Sequence, residues 1–345
     1  MSGHGSGRAA LTYAAAGVDV EAGEKAVALM RNAVESTHNA SVLGGIGGFA
    51  GLLALDSSRF RDPVLASASD GVGTKLLVAR ALDRHDTVGI DLVAMVVDDV
   101  VVAGAEPLFV LDYLAMGQLV PERAAAIVEG VAEGCRRARC ALLGGETAEH
   151  PDAMEPDAYD LAGFGVGVVE RDRILGSDRV EPGDLLLAMA SSGLHANGFS
   201  LVRRVLERAG IAYDEAPREL LGRTVGEELL EPTRIYAADL VDLLAAGVEL
   251  HALCHVTGGG LPGNLPRALP AGLVGRVDRS SWTPPPIFGL LAEWGPVDES
   301  ELARATNLGV GMVAVLPPGE VQRASSFLAA RGIPNWVMGE VTAQG

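Results

Sequence analysis

Two runs between Ser69 and Asp99 limit what this chain can fold into: SDGVGTK, then GIDLVAMVVDD, set an acid and a lysine beside three further carboxylates in otherwise apolar sequence. From Leu92 to Ala103 the apolar residues Leu92, Met95, Val96, Val100 and Ala103 recur at helical spacing, while Val93, Val97 and Val101 fill the opposite side. A helix apolar nearly all round has to be buried, so the rest of the chain must enclose it. Asp98 and Asp99 lie inside it, and a buried carboxylate is costly unless it is paired or metal-bound. On an ideal helix Asp91 and Asp98 point within about 20° of each other, roughly 10 Å apart along the axis. That spacing suits separate Mg²⁺ ions along a triphosphate better than one shared ion. A cap at Asp91 with a salt-bridged pair at Asp98 and Asp99 is the alternative that the residues leave open.

The SDGVGTK run carries the chemistry of a phosphate site. Asp70 offers oxygen to a hard cation, Gly71 and Gly73 let the backbone turn with its N–H groups exposed, and Lys75, after Thr74, supplies a mobile positive charge. A nucleotide polyphosphate fits this set best. Two familiar nucleotide loops fail. Gly45, Gly47 and Ala50 match G-x-G-x-x-A with Asp70 twenty residues on, but no strand precedes Gly45 and residues 51–55 read as extended. The pattern G-x-x-x-x-G-K-[ST] does not occur.

Bulk properties narrow the class further. A chain of 345 residues, 48% hydrophobic and 21% charged, is long enough for two domains with ordinary cores. Its net charge of −18 argues against nucleic acid, because neutralising backbone phosphates needs a basic surface. The cysteines, Cys135, Cys140 and Cys254, show no metal-ligand spacing and are odd in number, so a reduced cytoplasmic protein is expected. No run of 18 uninterrupted apolar residues predicts a membrane span. Residues 1–20 read as a flexible tail, glycine- and serine-rich at its start and unlike a signal peptide.

Along the chain, residues 21–34 predict a helix, followed by a glycine loop at Gly44, Gly45, Gly47 and Gly48. Extended segments follow at 51–55 and 64–68, the latter leading into the Asp70 loop. Beyond the apolar helix, a strand is expected at 108–114, a helix opened by Pro121, and strands at 141–143 and 159–169. The polar, turn-rich stretch 170–184 marks a junction between residues 21–170 and 171–345. A second unit begins with a strand at 185–190, the loop SSGLHANG, helices at 199–209 and 234–246, the turn HVTGGGLPGN and a strand at 310–316. Strands alternate with helices in both halves, which places the chain in the α/β (α+β) class.

Three further groups could carry chemistry. Glu146 and Thr147 follow Gly144 and Gly145, where a turn after a short strand would aim Glu146 into a cleft. His195 and Asn197 sit between Gly193 and Gly198 directly after a strand, and histidine suits proton transfer near neutral pH. His255, Thr257, Gly258, Gly259 and Gly260 precede an expected helix, whose first N–H groups could hold phosphate.

Read in order, the stretches TYAAAGVDVEAG, LGGIGGFAG, SDGVGTK, HDTVGIDLVAM, GAEPLFVLDYLAMG, GGETAEHP, DLAGFGVGVVE, SSGLHANGFSLVR, EPTRIY, HVTGGGLPGNLPR and NLGVGMVAV resemble the phosphoribosylformylglycinamidine cyclo-ligases, or aminoimidazole ribonucleotide synthetases. The resemblance runs from Thr12 to about Val315. It implies a two-domain fold, with N-terminal strands forming a barrel across a homodimer and the active site between the domains. It also implies ATP-dependent closure of formylglycinamidine ribonucleotide, with Mg²⁺ and room for a monovalent cation. Carried onto this chain, Gly44, Gly45, Gly47 and Gly48 would cover ATP, and Lys75 would contact its phosphates beside Gly71, Gly73 and Thr74. Asp70, Asp91, Asp98 and Asp99 would carry Mg²⁺. Glu146, Thr147, His195, Asn197, His255, Thr257, Gly258 and Gly259 would line the substrate site, with His195 moving protons alongside catalytic Lys75 and Asp70. Many relatives in the resembled family carry asparagine where this chain has Asp98, which leaves open whether Asp98 or Asp99 meets the metal. A sibling small-molecule kinase of the same superfamily and a non-catalytic ATP-binding regulator are the rival readings.

Overall fold

The computed structural model describes residue 12 and residues 16–344, so the expected tail at 1–20 falls largely outside the described residues. Asp19 opens α1 (Val20–Glu35) by accepting the Ala22 N–H at 3.1 Å. The glycine loop then joins two short antiparallel strands, β1 (Val42–Leu43) and β2 (Leu52–Leu53). The first large unit comprises β3 (Pro63–Gly71), α2 (Leu76–Ala81), α3 (Val88–Val102), β4 (Glu106–Met116), α4 (Pro121–Ala138), β5 (Ala141–Glu149) and β6 (Tyr159–Glu170). Its sheet runs β3-β6-β4-β5, with only β4 and β5 parallel.

The all-round apolar helix is α3, buried along nearly its whole length as its sequence requires. It reaches the sheet because β6 carries glycine at alternate positions. A Cβ at Gly163, Gly165 or Gly167 would lie 3.1, 2.4 and 2.4 Å from Leu92, Val96 and Val100 respectively. Side chains there would lift the helix off the strand. Among the described residues no helix covers the opposite face of this sheet, and Leu65 (64% exposed), Phe164 (52%) and Tyr113 (37%) stand on it in solvent.

Two 3₁₀ turns, Arg171–Arg173 and Ser177–Arg179, lead into the second unit. It contains β7 (Leu185–Ala190), α5 (Phe199–Ala209), α6 (Val225–Leu229), α7 (Ala237–Ala245), β8 (Ala252–His255), α8 (Gly260–Asn264), β9 (Leu273–Val277), α9 (Pro286–Trp294), α10 (Glu299–Ala305), β10 (Val310–Leu316), α11 (Val321–Ala330) and β11 (Asn335–Ala343). The sheet order is β8-β10-β7-β11-β9, every pairing antiparallel. β10, between β8 and β7, is buried at all its positions and forms the spine of the second core. None of the described helices is long and apolar enough to cross a membrane.

Two elements differ from the sequence expectation for clear reasons. Residues 144–147 form no turn, because β5 continues through Glu149. Gly145 is needed inside the strand, since a Cβ there would sit 2.1 Å from Asp112 Oδ1 on β4. Helix α7 starts at Ala237 rather than 234, where Asp98 of α3 accepts the N–H groups of Tyr236 and Ala237 at 2.9 and 2.8 Å. A residue from the other half of the chain thus supplies the helix cap.

Candidate active site

The two units meet along α3. Lys75, on the 3₁₀ turn after β3, is fully buried and donates from Nζ to Asp91 Oδ1 at 2.8 Å, to the Glu231 carbonyl at 2.7 Å and to the His195 carbonyl at 3.0 Å. Asp91 Oδ1 also accepts the N–H and hydroxyl of Thr233, at 2.8 and 2.6 Å. Burial pulls the Lys75 ammonium down and pushes the Asp91 carboxyl up, and each partner's charge opposes the other's shift. The pair locks the Asp70 loop to two loops of the second unit. Asp91 Oδ2 is buried without a hydrogen-bond partner.

Asp98 and Asp99 face different surroundings despite being adjacent. Burial lifts the Asp98 carboxyl to about 7, against the pull of His255 and the two N–H groups at the start of α7. Asp99 is 43% exposed at its side chain, and its Oδ1 lies 2.9 Å from Nδ1 of His255, the last residue of β8. Asp70 belongs to the same neighbourhood. Partial burial raises its pKa; the Gly71 N–H, bonded at 2.7 Å, opposes this, the Asp99 charge adds to it and His255 reduces it. Asp70, Asp99 and His255 therefore form an electrostatic cluster at the cleft, whereas Asp91 and Asp98 serve inside the interface.

The SSGLHANG loop clasps this region. Thr74 Oγ1 lies 3.0 Å from Ser200 Oγ, and Asn197 Nδ2 lies 3.5 Å from Met95 Sδ on α3. His195 takes a positive φ of 62°. Its ring is nearly inaccessible, with Nε2 accepting the Ser192 N–H at 3.2 Å and Nδ1 unpartnered. Burial holds its pKa well below the usual histidine range, with the charges of His255, Lys75 and Arg234 acting in the same direction. A neutral ring accepting at Nε2 carries its proton on Nδ1. Gly311 makes room for it, because a Cβ there would lie 2.6 Å from His195 Cε1 and 2.1 Å from the Tyr236 hydroxyl. Across the cleft, Asn264 Nδ2 reaches the carbonyls of Thr257, Gly258 and Gly260 at 3.3, 3.2 and 2.8 Å, and fixes the TGGG turn.

Both units match family models: residues 50–169 match the N-terminal domain of AIR synthase related proteins, and 181–345 match the C-terminal domain. The chain is 53% identical over 336 residues to a phosphoribosylformylglycinamidine cyclo-ligase of Anaeromyxobacter dehalogenans, covering 97% of this chain and 96% of that protein. The chain belongs to the phosphoribosylformylglycinamidine cyclo-ligase family. A member from Sorangium cellulosum is likewise 53% identical, over 97% of this chain and 96% of its own. The two-domain fold extends beyond cyclo-ligases. A thiamine-monophosphate kinase from Stenotrophomonas maltophilia superposes with a TM-score of 0.65 at 19% identity, covering 92% of this chain and 94% of its own. The hydrogenase maturation protein HypE in complex with ATP gives 0.64 at 19%, covering 94% and 87%.

Within this cyclo-ligase-family fold, some residues singled out from sequence stand apart from the cleft. Glu146 and Thr147 lie on β5, three strands from β3 and its Asp70, roughly 14 Å at ordinary strand spacing. Glu146 pairs in register with Tyr113, on the open sheet face, so a single chain does not bring it to His195. Gly44, Gly45, Gly47 and Gly48 form an exposed loop with Gly44 and Gly47 at positive φ, and Phe49 at its tip is fully exposed. No group of three or more metal-ligating side chains gathers among the described residues. Asp91 and Asp98, expected to carry cations, instead have an oxygen each committed to protein donors.

Other residues escaped the sequence reading. Thr233 and Tyr236 sit in EPTRIY, which offered no chemistry until Asp91 and Asp98 were seen to bind it. Asn307 Nδ2 donates to the Gly193 carbonyl at 2.9 Å and supports the His195 loop from 114 residues away. Asp112, buried under α4, is lifted by burial to about 7.

Proposed function

We infer that the protein catalyses ATP-dependent closure of formylglycinamidine ribonucleotide to 5-aminoimidazole ribonucleotide, with release of ADP and phosphate, in purine biosynthesis. The observation that carries this reading is the 53% identity over 97% of the chain, spanning both units that build the cleft. ATP supplies the phosphoryl group that turns a poor leaving oxygen into a good one; the substrate's amidine nitrogen then closes the ring as phosphate departs. The protein's contribution is positioning and charge compensation.

Mg²⁺ fits the Asp70 and Asp99 pair. Two carboxylates whose charges already oppose each other offer hard oxygens, and this ion takes one or two carboxylates plus phosphate oxygens. Bound there, Mg²⁺ would neutralise the nucleotide's charge. Asp91 would reach a cation only by giving up Lys75, and Asp98 only by leaving the start of α7. Thr74, Gly71 and Gly73 face the phosphates, and the Gly44–Gly48 loop closes over the nucleotide. His195 is neutral and carries its proton on Nδ1, which is buried, so it would donate to the reacting oxygen only once the SSGLHANG loop moves to uncover it. Asn197, Thr257, Gly258 and Gly259 shape the substrate side.

Residues 21–170 form the nucleotide-binding and dimerising domain in this reading, and 171–345 the substrate domain, in a cytoplasmic homodimer. The open apolar sheet face bearing Leu65, Phe164 and Tyr113 supports a barrel built across two copies. In that barrel Glu146 would serve the intersubunit face. Phe164→Glu should shift the protein to monomer by light scattering, and a wild-type monomer at micromolar concentration would remove the barrel. For the activity, purified protein mixed with formylglycinamidine ribonucleotide and Mg-ATP should yield the aminoimidazole product. Folded protein that binds ATP without forming product would overturn the assignment.

A further inference from the structure

Beyond Asp99, the interface opens into a cavity of about 260 Å³, bounded by the last turn of α3, the 3₁₀ turn at Ser177, the end of β8 and the segment after α8. His255, Asn264, Arg267 and Ser177 supply its polar lining. His255 is nine-tenths buried or more, with Nδ1 against Asp99 and Nε2 unpartnered. Arg267 donates from Nη1 to Asn264 Oδ1 at 3.1 Å and makes no ion pair with any described carboxylate. Asp99 is the one carboxylate at the cavity wall, and its Oδ1 is occupied by His255.

We propose that this cavity is the seat of the 5′-phosphate of the ribonucleotide substrate, with Arg267 as its main cation and His255 Nε2 and Ser177 Oγ as further contacts. The proposal rests on the cyclo-ligase reading and names the subsite that anchors its substrate. A guanidinium free of acidic partners presents a planar fork of donors matched to phosphate. The volume accommodates a phosphate with part of a pentose. The cavity begins where α3 passes Asp99 toward Ala103, next to the Asp70 and Asp99 pair that would hold the nucleotide's Mg²⁺, so the two phosphate groups would be neighbours, and separate KM values for the two substrates tell them apart. Asn264 ties the subsite to the reaction, since it holds the TGGG turn and orients Arg267 at once.

Steady-state kinetics of the full-length enzyme test the assignment. Arg267 is exposed, so Arg267→Gln should fold normally. It should raise KM for formylglycinamidine ribonucleotide about 10–100-fold, with KM for ATP within about twofold of wild type and kcat within about threefold. Arg267→Lys should recover part of the loss, because the charge survives without the fork. Ribose 5-phosphate should compete with the ribonucleotide in wild type and lose its grip on Arg267→Gln. An unchanged KM for the ribonucleotide, or a rise confined to ATP, would overturn the proposal. Wild-type protein that forms no product would instead defeat the underlying cyclo-ligase reading, so the two failures are distinguishable.

Discussion

Four aspartates along the same short stretch meet opposite fates. Asp91 and Asp98 are buried against loops of the second unit: one shares Lys75 and Thr233, the other holds the first N–H groups of α7. Asp70 and Asp99 stand at the cleft, coupled to each other and to His255, with oxygen surface left for a ligand. In the first pair the protein's own donors answer one oxygen of each carboxylate, while the other is buried without a partner. In the second pair the charges press on each other until something from solution relieves them. The sequence reading assigns all four to Mg²⁺, on separate ions along a triphosphate. What separates them is whether the chain itself supplies the donors.

The sharpest way to break this division is Lys75→Met. If Lys75 and Asp91 form an interior brace, the variant strands a buried carboxylate and should lose about 3–5 kcal/mol in urea unfolding. The double variant Lys75→Met with Asp91→Leu should regain most of that stability while remaining inactive, because the brace is replaced but the charge near the nucleotide is not. A Lys75→Met protein as stable as wild type would mean that the pair is open in solution, and Asp91 would rejoin the candidate cation ligands.

Asp98→Asn probes the same side with a smaller expected effect and a defined pH dependence. The unfolded carboxyl titrates near about 4 and the folded one at about 7, so the folded state holds this proton more tightly. Stability conferred by the neutral form is complete below about pH 4 and is lost as pH rises through about 7. The amide keeps an oxygen for Tyr236 and Ala237 and carries no charge. It should therefore match wild type near pH 4, already exceed it by roughly 1 kcal/mol at pH 5, and exceed it by roughly 3–4 kcal/mol at pH 8, with turnover within about threefold. Asp112, also lifted to about 7, remains in the variant, so the pH slope should shrink without vanishing. Loss of turnover with magnesium affinity would place Asp98 with the cleft pair instead.

Sequence carried the fold furthest where a local pattern and a tertiary need coincide. β7, α5 and β10 fall where apolar runs and flanking glycines predict them, because each is bounded by its own turn chemistry. The strand through Gly144 and Gly145 was illegible, since Gly145 answers to Asp112 on the neighbouring strand rather than to a turn. The site shows the same limit. Asp70, Lys75, His195 and His255 stand out by residue type and loop setting, and the structure gathers them. Thr233 and Asn307 do not, for their partners lie 142 and 114 residues away, and no local spacing encodes such contacts. The division among the four aspartates was hidden for that reason: Asp98 and Asp99 are neighbours in sequence, and only the packing of α7 and β8 tells them apart.

Asp70→Asn should have the smallest effect on the fold and so sharpens the comparison from the other side. Its carboxylate makes one internal hydrogen bond, to the following N–H at 2.7 Å, and an amide oxygen can keep that bond. Substitution also removes the repulsion from Asp99. Unfolding free energy should therefore stay within about 0.5 kcal/mol of wild type. Turnover should nevertheless fall on the order of 10²-fold or more, and the magnesium concentration giving half-maximal rate should rise, because a hard oxygen charge aimed at the phosphates is gone. The two readouts must separate in opposite directions for Asp70 and Asp98. A stable Asp70→Asn enzyme with wild-type turnover and magnesium dependence would show that the cleft pair, like the interface pair, is answered from within the chain, and the cation would have to be sought elsewhere.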